Sequence, residues 1–269
     1  MNNDNVKSAF AFGIDKAFYY GILAVLVMQM ISGIIQLPAF YYIRLNHVLL
    51  PLSFFTGIAV AIGLLLQILQ IKINPIVNDI KAKIAIPELI LAILIWIGFL
   101  PLGEYLTALI PTTGLLEGLY QYFSANFEFV LNYKIAAFIT ICILAPIFEE
   151  ILFRGIVLKG MLNYKINPAL AIVVSGFIFG AAHLNPWQFV GAGLLGSIFG
   201  FIYYRTKSLA LPIILHALNN TLSFVYIAKN QTLEEDIFDT SNIFLLILFT
   251  IIALILSYIL YQITNKKHI

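Results

Sequence analysis

The feature that most limits what this chain can fold into is an apolar run of about twenty residues that recurs along it. A helix rises 1.5 Å per residue, so roughly 20 residues cross the ~30 Å hydrocarbon core of a bilayer. Eight runs qualify, at 17–37, 48–71, 87–110, 135–158, 168–184, 187–204, 208–228 and 242–263. Each must satisfy its own backbone hydrogen bonds in lipid, which selects helices. The expected fold is therefore all-α: a polytopic bundle of about eight transmembrane helices enclosing a polar cavity, with 1–269 forming a single transmembrane domain. Composition agrees. Hydrophobic residues make up 61% of the chain and charged residues 10%, against about a quarter charged in a soluble domain. A net charge of +2 gives no electrostatic case for a nucleic-acid partner. The single Cys142 excludes an intrachain disulfide and a multi-cysteine metal site. The polar first stretch is followed by no short apolar core with a small-residue cleavage site, so no cleaved signal peptide is expected.

Proline and charge refine the spans. Pro38, Pro87, Pro111 and Pro168 are expected at helix ends, where a missing N–H costs least. Pro146 and Pro212 are expected inside spans, where neighbours must satisfy the carbonyls they free. With eight spans and both termini cytoplasmic, the inner segments carry eleven basic residues: Lys7, Lys16, Lys72, Lys81, Lys83, Lys159, Lys165, Arg205, Lys207, Lys266 and Lys267. The outer ones carry three, Arg44, Lys134 and Lys229, and an acidic set that includes Glu234, Glu235, Asp236 and Asp239. That asymmetry is the positive-inside pattern of an integral plasma-membrane protein. The longest outer segment, from Pro111 to Tyr133, is aromatic and mixed in polarity, which suits a helix lying in the interface as an anchoring belt or a substrate lid.

Against this apolar background a few polar residues stand out. Glu149, Glu150 and Arg154 lie in the fourth span, His183 in the fifth, and His216, Asn219 and Asn220 in the seventh. An ionisable group at mid-bilayer costs roughly 2.5–3.5 kcal/mol on insertion scales, so it persists when paired, hydrated or functional. Glu150 and Arg154 are four apart and can pair along one helix face. Glu149 is rotated by about 100°, so the two carboxylates are expected to serve different partners. His216 and Asn220 again share a face. Counted from the basic ends, Glu149, His183, His216 and Asn220 fall within a slab of roughly 8 Å. Taken singly, each has a plainer reading: an interhelical hydrogen bond for His183, a structural clamp for Glu150–Arg154, a helix contact for Asn219. Gly193, Gly196 and Gly200 read as close helix packing.

These residues resemble the type II CAAX-prenyl endopeptidases, the CPBP or Abi family of intramembrane proteases. The family pattern EExxxR stands here as Glu149-Glu150-Ile151-Leu152-Phe153-Arg154. FxxxH stands as Phe179-Gly180-Ala181-Ala182-His183, and HxxxN as His216-Ala217-Leu218-Asn219-Asn220. The resemblance covers roughly 134–228, which marks spans four to seven as the catalytic core. It implies peptide-bond hydrolysis, with Glu149 and His183 activating water, His216 and Asn220 holding the oxyanion, and Glu150 and Arg154 organising the site. Zinc on Glu149, His183 and His216 would satisfy a His₂Glu site with an open position. The histidines lack HExxH spacing, so a glutamate-dependent, metal-free mechanism is the favoured expectation. The expected substrate is a membrane-embedded or lipidated peptide or protein. An AT-rich-looking bias to Ile, Asn and Lys suggests a bacterial host, where such proteins act in immunity or peptide maturation. A non-catalytic immunity or scaffold protein would tend to have lost a motif residue. An ion-coupled transporter would spread its polar groups over two repeated halves.

Overall fold

The computed structural model describes residues 10–230, 238 and 241–265. Lys7, Lys266, Lys267, Glu234, Glu235, Asp236 and Asp239, all used in the charge count, lie outside the described residues. Among the described residues there are ten helices and no strand. In chain order they are α1 (Ile14–Tyr41), α2 (Asn46–Ile68), α3 (Asn74–Ile80), α4 (Ile86–Ala108) and α5 (Glu117–Leu131). There follow α6 (Lys134–Asn163), α7 (Pro168–Ala181), α8 (Pro186–Thr206), α9 (Ala210–Asn230) and α10 (Ile243–Asn265). Seven of them, α1, α2, α4, α6, α8, α9 and α10, are long and apolar enough to cross a membrane. The eighth expected span, 168–184, is present as the shorter α7.

Two prolines depart from expectation. Pro38 lies inside α1, which continues one turn to Tyr41. In a helix facing lipid, the final turn survives because it needs only the bonds beyond the proline. Pro212 falls in the first turn of α9, where its lost N–H has no helical acceptor to serve.

Helix pairs meet at small residues, the usual means of close approach in lipid. A Cβ on Gly57 of α2 would stand 2.6 Å from the Met28 carbonyl of α1, and one on Gly98 of α4 would stand 2.8 Å from Ala253 of α10. At the α7–α8 contact, a Cβ on Gly196 would stand 2.9 Å from Phe179 and 3.1 Å from the Gly176 Cα. This is the packing role expected of the α8 glycines.

At the centre runs α6, in which every residue from Leu152 through Leu158 is buried. Its turns are not uniform. Wide π turns at Ile139–Leu144 and Ile151–Leu158 flank a regular α segment, Ala145–Glu150, that carries the carboxylate pair. Such bulges inside α-helices concentrate at functional sites. Asp79 of α3 fixes the far end of α6. Its carboxylate accepts from Lys159 Nζ and from the Tyr203 hydroxyl of α8, both at 2.6 Å. Its backbone carbonyl accepts from the Leu209 N–H at 2.9 Å. One aspartate thus ties together three of the elements that frame the site.

Candidate active site

Arg154 is the largest completely buried side chain among the described residues. Its Nη1 donates to Glu150 Oε1 at 2.8 Å, the pairing expected from four-residue spacing, and both side chains are fully shielded. Nη2 donates to the Gly196 carbonyl of α8 at 2.8 Å. The guanidinium also sits 4.5 Å over the Phe179 ring and 5.9 Å from that of Phe199. In a dry environment a cation is held well only by several such partners together. Glu150 Oε2 and Arg154 Nε are buried without a hydrogen-bond partner.

The same Glu150 Oε1 receives His216 Nδ1 at 2.9 Å. On the opposite side of that ring, Nε2 stands 3.9 Å from Glu149 Oε2. This corrects the expectation that the adjacent carboxylates serve different partners. A 100° divergence separates two groups aimed at one point, but it leaves room for a flat ring between them. The two nitrogens of imidazole then face one carboxylate each. Because Glu150 is already committed to a cation, Nδ1 is the donor toward it, and Nε2 is the atom left for chemistry.

His183 lies beyond the end of α7 rather than within a span. Its Nδ1 is 3.0 Å from the Phe179 carbonyl, an obligate acceptor, so Nδ1 carries the proton and Nε2 the lone pair in the neutral ring. The local sequence explains the stop. Asn185 caps α8 through a 2.8 Å bond from the Gln188 N–H, and Pro186 follows at the first helical position. Asn185 Nδ2 also donates to the His183 carbonyl at 3.1 Å. Leu184 takes φ 58°, a left-handed conformation that a leucine adopts only at a cost of about 1–2 kcal/mol. Held strain of this kind is a mark of functional corners.

Phe179 joins the parts. Its ring stacks edge-on against His183 at 5.2 Å, His216 at 5.5 Å and Phe153 at 5.1 Å, besides carrying Arg154. Its motif position was legible, but its role as the hub was not. Phe199 of α8 was missed altogether, and Gly196 was read as a packing residue but not as the acceptor for Arg154. An apolar ring and a backbone carbonyl leave no polar trace in an apolar span.

Asn220 donates from Nδ2 to the Ile141 carbonyl of α6 at 2.8 Å. Asn219 accepts from Trp96 Nε1 of α4 at 3.2 Å, the interhelical contact expected of it. Glu149, His183, His216 and Asn220 all line one cavity of about 1110 Å³. Tyr120 and Phe123 of α5 close one side of it, where they pack on Trp187 of α8 at 5.0 and 6.0 Å. A second cavity of about 470 Å³, between α1 and α2 and largely apolar, also reaches Glu149 and His183. Glu149 and His183 thus stand in the walls of both cavities.

Among the described residues no three His, Cys, Asp or Glu side chains gather closely enough to hold a metal ion. The alternative zinc set of Glu149, His183 and His216 is therefore not assembled in this arrangement, although His216 Nε2 and Glu149 Oε2 lie 3.9 Å apart.

Comparison with known proteins gives the following. Residues 131–222 match the family model described as type II CAAX prenyl endopeptidase, Rce1-like. YdiL of Bacillus subtilis strain 168, by its name a candidate membrane peptidase, is 37% identical over 93 residues, covering 35% of this chain and 37% of that protein. The membrane-embedded CAAX protease MroQ of Staphylococcus aureus strain USA300 is 35% identical over 115 residues, covering 39% and 46%. YaiF of Lactococcus lactis, a UPF0177 protein, is 34% identical over 90 residues, covering 33% and 39%. The chain thus matches less than half the length of each of these relatives. No solved structure matches.

Proposed function

Starting from the Rce1-like CAAX-endopeptidase character of residues 131–222, we propose that this chain is an intramembrane endopeptidase. It hydrolyses a peptide bond in a membrane-embedded or lipidated peptide or protein. The observation that carries this reading is the asymmetry of the carboxylate pair. Glu150 is sealed against Arg154, whereas Glu149 faces the cavity with 17% of its side chain exposed and His216 Nε2 beside it. Glu149 takes a proton from water, and the resulting hydroxide oxygen adds to the substrate carbonyl carbon. His183, through its unprotonated Nε2, helps orient that water. The oxyanion is held by an N–H at His216 Nε2 and by an Asn220 N–H. Collapse breaks the C–N bond, and the amine leaves with the proton that Glu149 held. No metal takes part in these steps. Glu150 and Arg154 position His216.

The two cavities that Glu149 and His183 share support a substrate lying across those residues, with apolar side chains in the cavity beside α1 and α2 and the remainder beneath the α5 aromatics. The basic residues near the ends of α2, α6 and α8 support an orientation with those ends and both termini cytoplasmic, in a bacterial plasma membrane. The names of MroQ and YdiL support a peptidase.

The test is proteolysis of a reporter transmembrane peptide by purified full-length chain in detergent. Glu149→Ala, His183→Ala and His216→Ala are each expected to abolish cleavage while leaving the protein folded. Wild-type cleavage by all three would end the protease reading. A chelator is expected to leave activity intact; its loss on chelation and return with zinc would replace the metal-free mechanism.

A further inference from the structure

A polar chain leaves the motif helices and ends on α4, outside the segment that carries the family pattern. Trp96 Nε1 donates to Asn219 Oδ1 at 3.2 Å, Asn219 Nδ2 donates to Asn220 Oδ1 at 3.4 Å, and Asn220 Nδ2 donates to the Ile141 carbonyl at 2.8 Å. Each end of the chain has a fixed sense. Indole nitrogen can only donate and a carbonyl can only accept, whereas the two primary amides between them could each be turned either way. The accepting end is open for a reason written in the sequence. The Ala145 N–H bonds the Thr140 carbonyl, five residues back. In that register the Ile141 carbonyl would need the N–H of residue 146, which is proline and has none. Asn220 fills that vacancy.

We propose that Trp96 and Asn219 are positioning residues that fix the sense of the Asn220 amide, so that its second N–H is presented to the cavity beside His216. Asn220 spends one N–H on Ile141 and its oxygen on Asn219, which leaves a single N–H for whatever enters the cavity it lines. Turning Asn219 over would offer its oxygen to Asn220. Asn220 would then turn in response and present a carbonyl oxygen where a developing oxyanion needs a donor. Pro146 and Trp96, on two different helices, thus impose one sense on the amide. The assignment rests on the oxyanion role given to Asn220 above.

The experiment uses the full chain in detergent and a reporter transmembrane peptide whose cleavage Glu149→Gln abolishes. Trp96→Phe keeps the ring and removes the donor. It is expected to lower kcat about tenfold with KM nearly unchanged, short of the roughly 10²-fold loss of one oxyanion donor on Asn220→Ala. In the Asn220→Ala background Trp96→Phe is expected to do nothing further. Asn219→Asp still accepts from Trp96 but can offer Asn220 only an oxygen, so it should fall below Asn219→Ala at an equal thermal midpoint. An undiminished kcat for Trp96→Phe, an equal loss in the Asn220→Ala background, or Asn219→Ala and Asn219→Asp ranking the other way would overturn the assignment. If Glu149→Gln still cleaves, the protease reading fails instead. The positioning claim is then decided by nitrogen-15 asparagine labelling: Trp96→Phe must shift the Asn220 side-chain amide signals, and unmoved signals refute it.

Discussion

Glu149 and Glu150 are neighbours in the chain, yet the two sides of α6 they occupy are opposite environments. On one side, Glu150, Arg154, Phe179 and Phe199 form a sealed block in which an ion pair is held by rings and a backbone carbonyl. On the other, Glu149, His183 and Asn220 line an open cleft. His216 is the partition, with one nitrogen toward each side. Identical carboxylates meet different surroundings, which is how the proposed mechanism obtains both a fixed counter-charge and a reactive base from one pair.

The contrast breaks most clearly at Glu149. Glu149→Gln keeps the shape and removes the base, so cleavage should fall by about 10²–10⁴-fold with no change in thermal midpoint. A comparable loss of midpoint would make Glu149 part of the sealed block. Arg154→Leu should do the opposite. It strands a buried carboxylate at a cost of about 3–5 kcal/mol and should be seen first as loss of folded protein in detergent. Pairing it with Glu150→Leu should recover most of that stability, because an apolar replacement of a buried ion pair can be nearly neutral, yet it should restore no activity. Recovery of cleavage in the double variant would show that His216 needs no charged support. Phe179→Leu removes the ring under Arg154 and should cost about 2 kcal/mol in chemical denaturation, with His183 and His216 losing their common wall. The smallest effect is expected at the rim. Phe123→Leu weakens the stack of α5 on Trp187 by about 0.5–1.5 kcal/mol. Limited proteolysis should then cut 109–133 sooner while α6 stays protected; unchanged cutting would mean that α5 is held elsewhere.

Much of this was legible in the chain before folding. Apolar runs located the helices because lipid admits little else, and mid-span charges marked the candidate site because they are costly there. The Glu150–Arg154 pair followed from helical spacing alone. The bracketing of His216 did not, since it depends on where α9 passes α6. Trp96 escaped notice because an indole is an ordinary interfacial residue until its N–H is seen to end a polar chain. The stop before His183 was written as an Asn-Pro corner, although the apolar run continues across it and masks the break. Pro146 announced a freed carbonyl, and the structure supplies the neighbour that claims it.

Helix α7 has a consequence for the bilayer itself. Its 14 residues span about 21 Å, well short of the ~30 Å hydrocarbon core. Leu170 and Val173 of α7 are about half exposed, an apolar surface suited to lipid. A helix this short in a bilayer is expected to thin the membrane beside it. The polar Asn185–Pro186 corner, with Gln188 beyond it, would then meet the headgroup region. For the proposed hydrolysis, which consumes water, such a mismatch at α7 would bring the second reactant to the level of His183.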